Sequence, residues 1–119
     1  MSDETMLSVE RLPREDDVVV LALSGELVVT NREMLRQRAE AELEGGARKL
    51  VLAAGGLSHV DTSGLALLAQ LSNRCADRGG RLAVAGLGQF ADELRQSLFL
   101  DEAVLFADAV EDAVAALTG

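Results

Sequence analysis

The stretch of sequence that decides the fold is residues 58–68, which read SHVDTSGLALL. An apolar run, Lys49–Ala54, precedes it, and the leucines that follow Gly64 recur at helical spacing. This change of period predicts a strand, then a short polar bend at residues 61–64, then a helix. The first turn of a helix leaves backbone N–H groups unpaired and carries the positive end of the helix dipole, so the bend suits a negative charge. Ser, Thr and Asp are also the ordinary helix-capping residues, and both interpretations stay open at this point.

Strand-like and helix-like segments alternate on both sides of this bend. Continuous apolar runs predict buried strands at Val18–Ser24, Lys49–Ala54, Arg81–Gly86 and Val104–Phe106, with an edge strand at Met6–Arg11. Helical spacing and glycine stops predict helices from Asn31 to Gly45, from Gly64 to Gly79, from Gln89 to Ser97 and onwards from Asp108. Gly25 and the pair Gly55–Gly56 are expected to end the strands that they follow.

This alternation predicts an α/β fold with a mixed, mostly parallel sheet of about four to five strands, flanked by about four helices. No linker or internal repeat divides the chain, so residues 1–119 are expected to form a single domain. Residues 1–5 are expected to be a flexible tail.

The composition describes an acidic domain with an aliphatic core. The 119 residues include 20 acidic and 11 basic side chains, which gives a net charge of −9, and aromatic residues make up only 3 %. This charge repels phosphate backbones and anionic lipids, so nucleic acids and the bare membrane are poor direct partners. Cys75 is the single cysteine, which excludes an intramolecular disulfide. No apolar stretch is long enough to span a bilayer and no secretory signal pattern is present, so we expect a cytoplasmic location.

The sequence offers little support for catalysis. His59, Asp61 and Ser63 alternate along the chain, whereas a catalytic triad usually takes its members from separate elements. The single histidine and the single cysteine lack the spacing of metal ligands. The Gly-Leu-Gly at residues 86–88 lacks the third glycine of a dinucleotide-binding fingerprint, so a tight turn is the simpler interpretation. We therefore expect no enzymatic activity, no cofactor and no metal.

Two motifs resemble those of a known family. LSGEL at residues 23–27 and VDTSGL at residues 60–65, together with the order of elements, resemble the STAS domain as found in bacterial anti-sigma factor antagonists. The likeness spans about residues 5–117, and the Asp-(Ser/Thr)-Ser-Gly-Leu piece is its specific part. The resemblance implies a regulator that binds an anti-sigma factor and thereby frees a sigma factor.

The resemblance also implies a switch. In such antagonists the anti-sigma factor is also a serine kinase that phosphorylates a hydroxyl of the motif, and a phosphatase restores binding. The matching hydroxyl here is that of Ser63, with Thr62 as the alternative. The residues that the resemblance implies at the partner contact are Asp61, Thr62, Ser63, Gly64 and Leu65.

Two positions depart from the family pattern, and one alternative stays open. Val28 and Ala53 stand where antagonists usually carry Asp near the phosphorylated hydroxyl, so a kinase adapted to those acids is expected to act poorly on this chain. The motif also looks like that of the small STAS subunit of bacterial ABC lipid-transport systems, which packs on the ATPase. In that interpretation Thr62 is the important hydroxyl, whereas the presence of Ser63 favours the antagonist.

Overall fold

The computed structural model describes residues 6–13, 17–88 and 104–118. These ranges contain five strands and three helices. The strands are β1 (Leu7–Leu12), β2 (Val18–Leu27), β3 (Lys49–Val60), β4 (Arg81–Ala85) and β5 (Val104–Ala107). The helices are α1 (Arg32–Glu44), α2 (Thr62–Asp77) and α3 (Val110–Thr118). The predicted tail at residues 1–5 and the predicted helix at residues 89–97 lie outside the described residues.

The five strands form one sheet in the order β1-β2-β3-β4-β5. β1 runs antiparallel to β2, and every other neighbouring pair is parallel. The parallel pairs follow from the helical connections, because a strand can return beside its predecessor in the same direction only after a long crossover. The prediction of an α/β fold with a mixed, mostly parallel sheet is therefore confirmed.

The sheet buries apolar side chains on both of its faces. α1 and α2 pack on one face, where Leu35 of α1 and Leu71 of α2 are fully buried against strand residues such as Leu50. α3 packs on the other face, where Ala113 meets a second cluster that includes Val51. This two-sided burial explains why the central strands read as continuous apolar runs rather than as alternating ones.

β2 and β3 are longer than predicted, and the expectation that Gly25 and Gly55–Gly56 end them is wrong. The register between the two strands shifts twice, between Ala22 and Ser24 and again between Gly25 and Glu26, so the pair bends without separating. Gly25 has a positive φ of 99°, and a Cβ there would lie 2.1 Å from the carbonyl oxygen of Met6. Glycine at this position therefore allows a bulge inside a strand, which the sequence alone does not distinguish from a turn.

Candidate functional site

The candidate site lies where β2 and β3 end and where α1 and α2 begin. Leu27 and Val60, the last residues of the two strands, are register partners, and the N–H of Asp61 donates to the Leu27 carbonyl at 3.1 Å. Carboxyl ends of neighbouring parallel strands meet at one edge of a sheet, which brings the β2–α1 loop beside the start of α2. The polar bend at residues 61–64 therefore has the loop at residues 28–31 as its neighbour.

Asp61 is the N-cap of α2, which starts at Thr62, two residues earlier than the predicted Gly64. Its Oδ1 accepts a hydrogen bond from the Gly64 N–H at 2.8 Å, and its Oδ2 accepts one from the Val29 N–H at 3.1 Å. One carboxylate thus caps the helix and ties it to the β2–α1 loop. The capping role falls to Asp61, so neither neighbouring hydroxyl is needed for it.

Thr62 and Ser63 carry the two hydroxyls that the sequence singles out. Thr62 is exposed and Ser63 is half-buried. Neither hydroxyl makes a hydrogen bond within the part of the chain that the structure describes. Both residues belong to the first turn of α2, where backbone N–H groups have no intrahelical acceptor. Both hydroxyls therefore lie at the positive end of a helix of 16 residues, without a hydrogen bond to the described parts of the chain.

Gly64 and Leu65 hold the start of α2 against the strands. A Cβ on Gly64 would lie 2.6 Å from the Leu27 carbonyl oxygen and 2.9 Å from Cγ1 of Val60, so only glycine fits without displacing its neighbours. Leu65 is 8 % exposed and belongs to the core cluster under α1 and α2. These two residues are therefore mainly internal, and their predicted contact with a partner stays a prediction.

The start of α1 contributes a positive charge to the site. Asn31 orders this loop because its Oδ1 accepts from the Val28 N–H at 3.1 Å and its Nδ2 donates to the Glu26 carbonyl at 3.0 Å. Arg32, the first residue of α1, then extends to α2, where its Nη1 donates to the Ser63 carbonyl at 3.3 Å. This hydrogen bond joins the Arg32 guanidinium to a hydroxyl-bearing residue that is 31 positions further along the chain.

Exposed apolar side chains lie at the same end of the molecule. Among the described residues, the large hydrophobic side chains that are exposed are Met6 (72 %), Val29 (61 %) and Met34 (40 %). Val29 is bonded through its N–H to Asp61, and Met34 lies in the first turn of α1. Sequence reasoning missed Arg32, Val29 and Met34 as site residues, because only the pairing of β2 with β3 brings them to the polar bend.

The two departures from the family pattern lie in different surroundings. Val28 belongs to the β2–α1 loop beside the site. Ala53 lies in β3 between its register partners Ala22 and Ala85 and is partly buried against the cluster under α3. All three alanines line an open cavity of about 450 Å³ at the beginning of α3.

Other reactive side chains are not gathered at the bend. His59 is exposed near the end of β3, and no hydrogen bond joins it to Ser63 in the described structure. Burial raises the pKa of the Cys75 thiol to about 11, so the thiolate is disfavoured. Within residues 6–13, 17–88 and 104–118, no group of three or more His, Cys, Asp or Glu side chains is placed to hold a metal ion. None of the described helices has the length and apolar character to cross a membrane.

Solved structures with the same fold include proteins that are named as anti-sigma factor antagonists. An anti-sigma factor antagonist from Mycobacterium paratuberculosis is 20 % identical, matches over 100 % of both chains and gives a TM-score of 0.84. SpoIIAA of Bacillus in its unphosphorylated form is 21 % identical over 94 % of this chain and 99 % of its own, with a TM-score of 0.72. RsbS from Moorella thermoacetica is 22 % identical over 92 % of this chain and 94 % of its own, also with a TM-score of 0.72.

The family comparison gives a direct assignment. No curated protein matches the sequence significantly. The family model of the STAS domain, in contrast, matches residues 11–113, which include the strands β2 to β5, α1, α2 and the polar bend. The family model thus covers most of the chain, and the solved structures named above have the same fold as this protein. The chain therefore belongs to the STAS domain family.

Proposed function

We propose that this protein is an anti-sigma factor antagonist that binds an anti-sigma factor through the start of α2. The partner is an anti-sigma factor with serine kinase activity, and Ser63 is the hydroxyl that it phosphorylates, with Thr62 as the alternative. A phosphatase reverses the modification. The contact surface includes Asp61, Thr62 and Ser63, with Gly64 and Leu65 holding them in place. STAS proteins with the same fold that are named as anti-sigma factor antagonists support this assignment.

The observation that carries the proposal is that Asp61 caps α2, while neither hydroxyl bonds to any residue that the structure describes. A kinase can therefore reach a hydroxyl without breaking a structural hydrogen bond. Transfer of the γ-phosphoryl group of ATP to the Ser63 Oγ releases ADP and the hydroxyl proton. The fold is expected to tolerate the product, because the new charge of about −1.5 to −2 meets the free N–H groups of the first turn.

The same charge explains how binding would be lost. A partner surface shaped for a neutral hydroxyl would have to desolvate a dianion and approach the Asp61 carboxylate at the same time. The exposed side chains of Val29 and Met34 flank this position and supply apolar area that a partner can cover. We therefore place the interface over the bend and the β2–α1 loop together.

The substitutions at Val28 and Ala53 bear on the kinase. Both positions lack the acid that antagonists usually carry, and Val28 lies in the loop beside the polar bend. We expect a kinase that depends on those acids to phosphorylate this chain slowly. A kinase that acts on this chain would have to accept the β2–α1 loop with Val28 in place of an acidic residue.

The binding half of the proposal is tested by titration calorimetry with the cognate anti-sigma factor. We expect Ser63→Ala to bind within about threefold of the unmodified chain, and Ser63→Asp to bind about a hundredfold more weakly, since about 3 kcal/mol corresponds to that ratio. Ser8→Asp, which adds the same charge at an exposed position of β1, is the matched control and should bind normally. Equal affinities for Ser63→Asp and Ser8→Asp would contradict the proposal.

The phosphorylation half is tested by incubation with the anti-sigma factor and ATP, followed by mass spectrometry. One added phosphate at Ser63, absent from Ser63→Ala, is the expected result. Modification at Thr62 alone would move the switch to the exposed hydroxyl. No modification, combined with binding to a transporter ATPase instead of the anti-sigma factor, would favour the alternative of an accessory subunit of an ABC lipid-transport system.

A further inference from the structure

Arg32 is one of several basic side chains of the described structure that have no acidic partner, and its hydrogen bond places it beside Ser63. Ion pairs join Arg11 to Glu42, Arg36 to Glu33, Lys49 to Asp17 and Arg74 to Glu40. Arg38, Arg48 and Arg78 donate to backbone carbonyls at places where helices and strands are tied together. Arg32 is half-buried, no carboxylate among the described residues lies within ion-pair distance of it, and its hydrogen bond goes to the Ser63 carbonyl.

The Arg32 charge lies between the starts of two helices. Arg32 is the first residue of α1, and its guanidinium contacts the second residue of α2. Both helix starts carry the positive end of a dipole, where an anion is favoured and a cation is not. The nearby Asp61 carboxylate does not offset this charge by direct contact, because its two oxygens accept from the Gly64 and Val29 N–H groups. Arg32 interacts with the neighbouring Glu33 carboxylate through its charge but not through an ion pair, so its remaining N–H donors are open to an anion at the start of α2.

We propose that Arg32 is the counter-charge that holds the phosphoryl group on Ser63. The inference rests on the proposed phosphorylation of that residue. The hydrogen bond holds the Arg32 guanidinium 3.3 Å from the carbonyl oxygen of Ser63, the residue whose Oγ would carry the phosphoryl group, and the long arginine side chain can turn toward that group. Its planar set of donors matches two phosphate oxygens at once. The pairing ties the start of α1 to the start of α2 in the phosphorylated form, and it selects Ser63 over Thr62, whose carbonyl Arg32 does not contact.

The test installs phosphoserine at position 63 of the full chain during translation, so neither the kinase nor the partner is needed. The second ionisation of the phosphate, ordinarily near pH 6, is followed by ³¹P NMR titration. We expect a pKa of about 5 to 5.5 in the otherwise unchanged chain, because a neighbouring cation favours the dianion. In the Arg32→Gln variant we expect the phosphate pKa to be about 6 or higher. The negative charge of Asp61 disfavours the dianion, and the variant has no guanidinium to oppose that effect.

Two controls separate charge pairing from a structural effect. Arg32→Lys keeps the charge and should recover most of the lowered pKa, whereas Arg36→Gln, one turn further along α1 and paired with Glu33, should leave it unchanged. Both positions lie in the first turn of α2 and share the effect of its dipole, so phosphoserine installed at position 62 instead of 63 should keep the higher pKa of the two if Arg32 pairs with position 63. This last comparison needs no substitution of Arg32 and therefore holds even if Arg32→Gln impairs folding.

The outcomes distinguish this inference from the proposed function. Equal pKa values in the otherwise unchanged chain and in Arg32→Gln, or equal values for phosphoserine at positions 62 and 63, would overturn the role of Arg32. Failure of the anti-sigma factor to bind or to phosphorylate the chain would overturn the proposed function. That failure would not affect the titration result, which would still show whether Arg32 pairs with a phosphate on residue 63.

Discussion

Val29 and Asp61 are joined by a hydrogen bond from the Val29 N–H to the Asp61 Oδ2 at 3.1 Å, across 32 residues of chain. The other oxygen of the same carboxylate caps α2 through the Gly64 N–H. The acid of the motif therefore has a structural task that is independent of any partner. It fixes the spacing between the β2–α1 loop and the hydroxyls.

Replacing Asp61 by Ala is expected to remove both hydrogen bonds. Loss of a helix cap typically costs about 1 kcal/mol, within a range of about 0.5–2 kcal/mol, so we expect the free energy of unfolding to fall by about 1–2 kcal/mol in urea denaturation. Asp61→Asn keeps one oxygen as an acceptor for the helix cap but presents an amide group to the Val29 N–H. Its free energy of unfolding should therefore fall less than that of Asp61→Ala. Amide exchange at Val29 should accelerate in both variants, and unchanged exchange would show that the bond does not hold the loop.

Gly64→Ala is expected to destabilise the protein by about 1–3 kcal/mol, the usual cost of overpacking. The added Cβ would lie 2.6 Å from a backbone carbonyl, which cannot move aside as the end of a flexible side chain can. Gly55→Ala is the matched control, because a Cβ there meets nothing within 4 Å. Urea denaturation of the two variants provides the comparison, and equal stability would mean that α2 does not approach β2 so closely.

Val29→Ser is expected to weaken binding of the anti-sigma factor about fivefold to thirtyfold while leaving the fold unchanged. The change removes an apolar side chain that is 61 % exposed in the free protein, and burial of such a side chain in an interface contributes about 1–2 kcal/mol. Ala115→Ser on the exposed face of α3 serves as the control and should bind normally. Titration calorimetry measures both variants, and full affinity of Val29→Ser would confine the interface to the bend itself.

The pair between Glu40 and Arg74 predicts a defined pH dependence. A hydrogen bond from Arg74 lowers the pKa of Glu40 below its ordinary value of 4.5, so the stabilisation is complete above that value and is lost as the pH falls through the lowered one. Glu40→Gln should therefore lose less stability than the unmodified chain when the pH falls from about 5 to about 3. Thermal unfolding across this range tests it, with Glu10→Gln on the exposed side of β1 controlling for the loss of one negative charge.

The sequence predicted the order of strands and helices in the described residues because their signals are local. Apolar runs such as Lys49–Ala54 and the leucine period after Gly64 need no knowledge of distant residues. The lengths of β2 and β3 were missed because they depend on the pairing between these two strands. This pairing continues past Gly25 and Gly56, although glycines in a sequence usually indicate turns.

The candidate site was predicted only in part, for the same reason. The motif at residues 61–65 is contiguous and therefore visible in the sequence. Arg32 and Val29 belong to the site because Leu27 pairs with Val60, and this register cannot be read from either segment alone. The sequence also does not identify the capping residue, since Asp61, Thr62 and Ser63 are all chemically capable of capping a helix.

The uneven lengths of the strands determine how the motif is presented. β4 ends at Ala85 opposite Ala53, whereas β3 continues to Val60 with β2 as its paired neighbour among the described strands. The bend is thus carried by an extension of β2 and β3 beyond the end of β4, in which β1 still pairs with β2 as far as Gly25. A change in the length of this extension would reposition the motif relative to β4 and β5, and it would act through Leu23 and Leu27, which are buried within the extension. STAS proteins with the same motif but with β2–β3 extensions of different length would present that motif to different partner surfaces.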